Sequence, residues 1–405
     1  MPVLRDIGRL VTPERGVRQG VLREVSDAAL AWRNGIITWV GPRSLLPSSH
    51  DDGEHVSAGG GLVIPGLVDC HTHLAFAGWR ADEFVQRIGG RSYEDIARSG
   101  GGIRRTVAAT VSCSSEVLAA HCVSELRAMA LLGVTTVECK SGYGGTVHDE
   151  LRLLDIYRDV ASLQPLRLVP TLLAHGVPEA YEDRRADYLG LVTGEMIPRA
   201  AAARLARFVD VFVEATAFSV GEGRVVLEAA QAAGLGAKLH ADQLHASGGT
   251  ELAAKLRAVS ADHLDSVGPS GIDALAKSGT VAVSLPIATL YVGTPPMPAR
   301  ACLGAGVPVA VATDFNPGTA PAPHLPLAML LACTLQHMTP AEVLCGVTHA
   351  AAAALAAQDA IGVLEAGWCA DFAIIDAPSV DQWVYHFSGN ACRETWRDGR
   401  RLVLN

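Results

Sequence analysis

Leu62-Val63-Ile64-Pro65-Gly66-Leu67-Val68-Asp69-Cys70-His71-Thr72-His73 decides how the rest of the chain is read. It is a buried apolar run that ends in two histidines one residue apart. Side chains alternate faces along a strand, so His71 and His73 point the same way and Cys70 points away from them. Two neutral imidazoles on one face at a strand's end can seize one divalent metal ion. A His-x-His pair also fits two unrelated surface histidines beside a turn, so the other strand ends must decide.

Working outward, short apolar runs recur at 62–69, 134–139, 167–174, 208–213, 235–240, 258–263, 280–285 and 308–313, most of them separated by stretches that read as helices. The clearest connector is a helix over 116–132, with Ser114 or Ser115 as its N-cap and Gly133 closing it. A shorter one over 225–233 is closed by Gly234. Eight such units predict an α/β fold, a (β/α)8 TIM-like barrel whose active site lies at the C-terminal ends of its strands. Positions 74–133 make one long, glycine-punctuated join, a candidate lid or substrate loop. Its Gly100-Gly101-Gly102-Ile103-Arg104 lacks the strand–glycine–helix context of a phosphate loop.

Beyond the body, the first 60 residues read as short strands and turns. Ala29-Leu30-Ala31-Trp32 and Ile36-Ile37-Thr38-Trp39-Val40 flank Arg33-Asn34-Gly35, a hairpin signal, and a polar stretch follows at 48–54. The runs 370–376 and 395–403 have the same style. Residues 1–60 and 361–405 are therefore expected to form one small β-sandwich domain around a barrel over 61–360.

Hydrophobic residues make up 49% of the 405 and aromatics 5%, enough for a large core packed by aliphatic side chains. A net charge of −9 with scattered basic residues excludes a general nucleic-acid binder and offers no polybasic patch for a membrane. The nine cysteines include no C-x-x-C pair, against a zinc ribbon or a disulfide framework. A reducing, cytoplasmic setting is expected. No signal peptide or apolar membrane span is evident.

The last residues of the proposed strands carry the chemistry. The first gives His71 and His73, the fifth His240, the sixth His263 and the eighth Asp314. A barrel brings these into one mouth, and nitrogens with one carboxylate form a first shell for zinc or ferrous iron, with a position left for water.

With these residues in place the chain resembles the amidohydrolase superfamily and, within it, the imidazolonepropionases of histidine degradation. The superfamily likeness rests on 65–73, His240, His263 and Asp314, and the resemblance covers nearly the whole length, the tail 362–371 included. The narrower likeness rests on His73-Leu74-Ala75-Phe76-Ala77-Gly78-Trp79-Arg80, Glu138-Cys139-Lys140-Ser141-Gly142-Tyr143-Gly144, Leu173-Ala174-His175, His240-Ala241-Asp242-Gln243 and Asp314-Phe315-Asn316-Pro317-Gly318-Thr319. The resemblance implies one divalent metal, zinc or iron, held by His71, His73, His240 and Asp314. The fourth strand runs into Phe212-Val213-Glu214-Ala215-Thr216, without the lysine that bridges two metals in binuclear relatives.

Deaminases of this superfamily carry a glutamate three residues after the fifth-strand histidine. Here Gln243 stands there, and a neutral amide cannot serve as a general acid. The implied reaction is hydrolysis of the ring C–N amide of 4-imidazolone-5-propanoate to N-formimino-L-glutamate. Asp314 is the implied proton carrier, His263 the partner of nucleophile or oxyanion, and Gln243 a ring contact. Arg80 is implied as the fork for the substrate's carboxylate tail. Tyr143, His175, Asn316, Gly318 and Thr319 are the other implied substrate contacts, Tyr93 a weaker one. A homodimer is implied, with no nucleic-acid partner. Another amidohydrolase acting on a different heterocycle, or a scaffold that has lost catalysis, stays open at this point.

Overall fold

The 62–69 run is not one strand. In the computed structural model of the chain, Leu62–Pro65 pairs within a sheet built from the two ends of the chain, and only Leu67–Asp69 (β1) enters the barrel. The break falls at Gly66, whose N–H donates to the Asp371 carbonyl at 2.9 Å. A Cβ at 66 would overlap the Thr135 side chain, so only glycine lets the chain cross from sheet to barrel here. The structure describes residues 1–50, 53–387 and 389–402. Asp51 and Asp52 of the polar stretch, and Val403 at the end of the last run, lie outside these residues.

The remaining barrel strands are Val134–Lys140 (β2), Arg167–Ala174 (β3), Phe208–Val213 (β4), Gly236–Ala241 (β5), Ser260–His263 (β6), Val281–Ser284 (β7) and Val309–Val311 (β8). They lie in sequence order, each parallel to the next. The seam between β8 and β1 is closed just beyond the strand ends. Asp314 N–H donates to the His71 carbonyl at 3.0 Å, and His73 N–H to the Phe315 carbonyl at 2.8 Å. Below them the buried Asp69 carboxylate accepts from the Thr313 N–H at 3.1 Å and hydroxyl at 2.6 Å. The residues that close the barrel are thus neighbours of, or identical with, those that carry the chemistry.

The long join between β1 and β2 holds four helices: α1 (Ala81–Ile88), α2 (Tyr93–Arg98), α3 (Ile103–Ser112) and α4 (Ser115–Leu131). Ser114 caps α4 through the Val117 N–H, as its sequence suggested. The connector placed at 225–233 in fact spans Val220–Ala232, because Ser219 and Glu222 form a capping box that starts it earlier. Among the described residues no single helix is long and apolar enough to cross a membrane. The pair α3–α4 passes that test only together, across a bend of 117°.

The ends of the chain build a second, mixed sheet of eight strands. Its path runs Arg400–Arg401, Cys392–Arg397, Phe372–Ile375, Leu62–Pro65, Val3–Pro13, Leu22–Arg33, Ile36–Pro42, with His55–Ser57 beside Val3–Pro13. Asn34 and Gly35 both have positive φ (52° and 80°), the requirement of the tight turn that joins the last two strands of that path. Trp32, Phe372 and Trp396 pack together as its own small core, with Phe372 and Trp396 stacked at 5.3 Å.

Candidate active site

At the C-terminal mouth, three imidazoles and one carboxylate meet. His73 Nε2 lies 3.3 Å from His71 Nε2 and 3.4 Å from His240 Nε2. Asp314 Oδ1 stands 3.4 Å from His71 Nε2 and 3.3 Å from His73 Nε2. All four residues are at most 3% exposed. Ligands at about 2.0–2.1 Å around a tetrahedral ion stand about 3.3 Å apart, so the spacing suits a divalent metal.

The far sides of the rings agree with that fit. His71 Nδ1 donates to Asp262 Oδ2 at 2.6 Å, and His240 Nδ1 to Asp210 Oδ1 at 3.1 Å. A carboxylate on Nδ1 fixes the tautomer and leaves the Nε2 lone pair turned inward. Burial, reinforced by Lys140 for His71 and by His240 for His73, holds both rings well below the usual imidazole pKa and so neutral. The lone pairs of His71 and His240 so turned inward repel one another, and a cation between them relieves this. His263 joins His71 and Asp314 in an overlapping set with ligand atoms within 4.8 Å, and its Nδ1 has no hydrogen-bond partner among the described residues. Burial pushes the Asp314 carboxyl up to about 7, against the pull of His240.

Beneath the histidines the barrel interior is charged. Lys140 Nζ lies 2.7 Å from Asp210, 3.1 Å from Glu138 and 3.5 Å from Asp262. Lys238 Nζ holds the other oxygen of Glu138 at 2.7 Å. Every one of these side chains is fully buried. No sequence argument pointed to this network.

Strained backbone gathers at the same strand ends. Asp242, His263, Leu264 and Asp314 all have left-handed φ, between 48° and 76°. Each such residue costs of order 1–3 kcal/mol and persists where its surroundings over-determine it. Asp242 shows how: its carboxylate accepts from the N–H groups of Ser247, Gly249 and Thr250, pinning the turn that follows Gln243.

Three of the four converging residues, His73, His240 and Asp314, face a cavity whose wall also includes Arg80, Tyr93, Tyr143, His175, Gln243, His263, Asn316 and Thr319. His175 stacks on His73 at 5.2 Å. Tyr143 is presented by a loop whose N–H groups at Gly142, Gly144 and Gly145 all bind the buried Glu150 carboxylate. Arg80 is 3% exposed, with Nε and Nη1 unpartnered among the described residues. Its guanidinium lies where a Cβ on residue 318 would be, so Gly318 makes room for it. Asn316 turns its amide into its own loop, donating to the Asp314 carbonyl and accepting from the N–H groups of Gly318 and Thr319. Gly318 and His71 lie behind the wall; every other residue singled out in the sequence lines it. Ile103 and Phe212 also line it and were not foreseen, for an apolar side chain at a strand end or helix start carries no chemical signature.

A family model described as "Amidohydrolase family" matches residues 171–402. The imidazolonepropionase of Deinococcus radiodurans is 44% identical over 391 residues, covering 96% of both chains. That of Symbiobacterium thermophilum is 43% identical over 406 residues, covering 98% of this chain and 96% of its own. The crystal structure of a zinc-bound adenosine deaminase from Xanthomonas campestris superposes with a TM-score of 0.72 at 18% identity, covering 100% of this chain and 93% of its own; it shares the fold. A barrel with converging histidines and full-length likeness to named relatives leads to one assignment: the chain belongs to the amidohydrolase family and, within it, to the imidazolonepropionases.

Proposed function

We propose that the chain hydrolyses the ring C–N amide bond of 4-imidazolone-5-propanoate to N-formimino-L-glutamate, the hydrolytic step of histidine degradation. One observation carries it: His73, His240 and Asp314, three of the four converging residues, line one cavity with a buried Arg80 that has donors to spare. A scissile amide can face the first group while a carboxylate tail meets the second.

His71, His73, His240 and Asp314 would hold one divalent ion, zinc or iron. When bound, such an ion lowers the pKa of a water molecule and polarises a carbonyl. Asp314 accepts the proton released as water oxygen bonds to the ring carbonyl carbon. The same proton then passes to the ring nitrogen as the C–N bond breaks, so atoms and charge balance. His263 donates to the oxygen that gains charge. Tyr143 and His175 wall the ring, Gln243 reads its polar edge, and Asn316, Gly318 and Thr319 shape the turn against which Arg80 rests. Gln243 disfavours the deaminase reading, because an amide there cannot deliver a proton to departing ammonia.

The proposal is completed by a homodimer working in a reducing cytoplasm; the nine cysteines, all free thiols, support that setting. The decisive test is a spectrophotometric assay on 4-imidazolone-5-propanoate with elemental analysis of the same preparation. The expected result is turnover with one metal per chain, and His240→Ala should lose both. Full turnover by a metal-free His240→Ala protein would refute the assignment.

A further inference from the structure

Helix α1 is turned inside out. An ordinary surface helix buries its apolar stripe and exposes its charges. Here Phe84, Val85 and Ile88 are 39%, 67% and 72% exposed, while Arg80 and Glu83 are 3% and 2% exposed. Positions 80, 83 and 87 share one helical face, so Arg87 follows the same stripe inward.

That stripe is built around the tail-binding arginine. Glu83 Oε1 accepts the Gly102 N–H at 2.9 Å, and Oε2 stands 3.7 Å from Arg80 Nε with no hydrogen bond of its own. Arg87 donates to the Gly318 carbonyl at 2.8 Å, fixing the glycine against which the Arg80 guanidinium rests. Glu83 therefore touches both Arg80 and the 100–102 loop, which leads into Ile103 on the cavity wall. A buried guanidinium without a nearby carboxylate is unstable, and one fully bound by a carboxylate has nothing left for substrate. At 3.7 Å Glu83 compensates the charge of Arg80 without consuming its donors.

We propose that Glu83 and Arg87 are positioning residues that set specificity for the carboxylate tail, by holding Arg80 poised and, through Glu83, coupling tail recognition to the 100–102 loop. This rests on the reading of 4-imidazolone-5-propanoate as substrate. Neither residue touches the reacting atoms, so their loss falls on binding of the tail and not on chemistry.

The test is steady-state kinetics of Glu83→Gln, Glu83→Ala and Arg87→Gln on 4-imidazolone-5-propanoate and on its propanamide analogue, whose tail is neutral. Glu83→Gln keeps the side chain's shape and its acceptor for Gly102 while removing the charge. For the natural tail KM should rise about tenfold or more with kcat within about twofold of wild type. For the propanamide analogue kcat/KM should stay within about twofold. Arg87→Gln should show the same split, and Glu83→Ala a larger rise in KM. An unchanged or lowered KM in Glu83→Gln, or equal losses on both substrates, would overturn the proposal. Wild-type protein that turns over neither compound would remove the assigned reaction itself, and the tail subsite with it.

Discussion

Lys140 shows how far the chemistry of this site extends behind the residues that face substrate. Burial works against its charge, but Asp210, Glu138 and Asp262 outweigh that penalty and hold its pKa above the ordinary lysine value. Two of those carboxylates are the ones bonded to Nδ1 of His240 and His71. One ammonium group thus fixes the orientation of two converging imidazoles from different strands. Lys140→Met should leave Asp210 and Asp262 facing each other, with Lys238 still holding Glu138, and the histidines should lose their fixed tautomer. Groups of this kind typically govern metal affinity by 10–100-fold. We expect the variant to release its metal to a chelator roughly that much faster than wild type, read by a colorimetric metal indicator. Equal release rates would sink the argument. The converging residues were legible in the sequence because each ends an apolar run. The network was not, since Glu138, Asp210 and Asp262 each occur as a single charge within such a run, where alternation reads them as facing solvent. Only closure of the barrel turns those positions inward to meet.

At the scale of elements, strand order was legible throughout and boundaries only in places. The strands β3 and β4 fall at 167–174 and 208–213, as their β-branched and aliphatic runs suggested. The 62–69 run misled because apolar content cannot report that Gly66 carries the chain from one sheet to another. The helix Val220–Ala232 was cut short for a different reason: Gly221 and Gly223 lower its helix propensity, while the Ser219–Glu222 capping box restores it. That box is tied to the 185–191 helix by Arg185, whose Nε and Nη2 each bond Glu222 at 2.7 Å. The Arg185 bond, chiefly, pulls the Glu222 carboxyl from 4.5 to about 2. A carboxyl held below its unfolded value stabilises the fold fully above that value and loses the effect as pH falls through the folded one. Between pH 4.5 and about 2, thermal midpoints of wild type should therefore fall faster than those of Glu222→Gln, the two curves converging at the acid end. Parallel curves would show that the pair adds nothing to the cap.

Across the whole molecule, the terminal sheet braces the barrel at the end remote from the chemistry. Arg167 opens β3 and bonds Asp371 at 2.7 Å and Asp398 at 3.0 Å, both from the C-terminal arm. Gln19, from the N-terminal arm, donates to the carbonyls of Val309 and Glu342 and accepts the Val309 N–H, completing the edge of β8. The sequence showed that the two ends belong together, but not that polar side chains would lock them to particular strands. His175 follows the other end of β3, so Arg167 and the cavity are separated by the length of an eight-residue strand, about 25 Å. Removing Arg167 leaves the buried Asp371 carboxylate without its cation, a loss of about 3 kcal/mol for a pair that is partly solvent-screened on the arginine side. Arg167→Ala should accordingly lower the thermal midpoint by roughly 5 °C. Metal content and kcat should stay at wild-type values, because every residue facing the cavity sits on the opposite rim. A variant that melts normally, or one that keeps its stability but loses its metal, would show that the two ends of the barrel are not independent in the way this architecture requires.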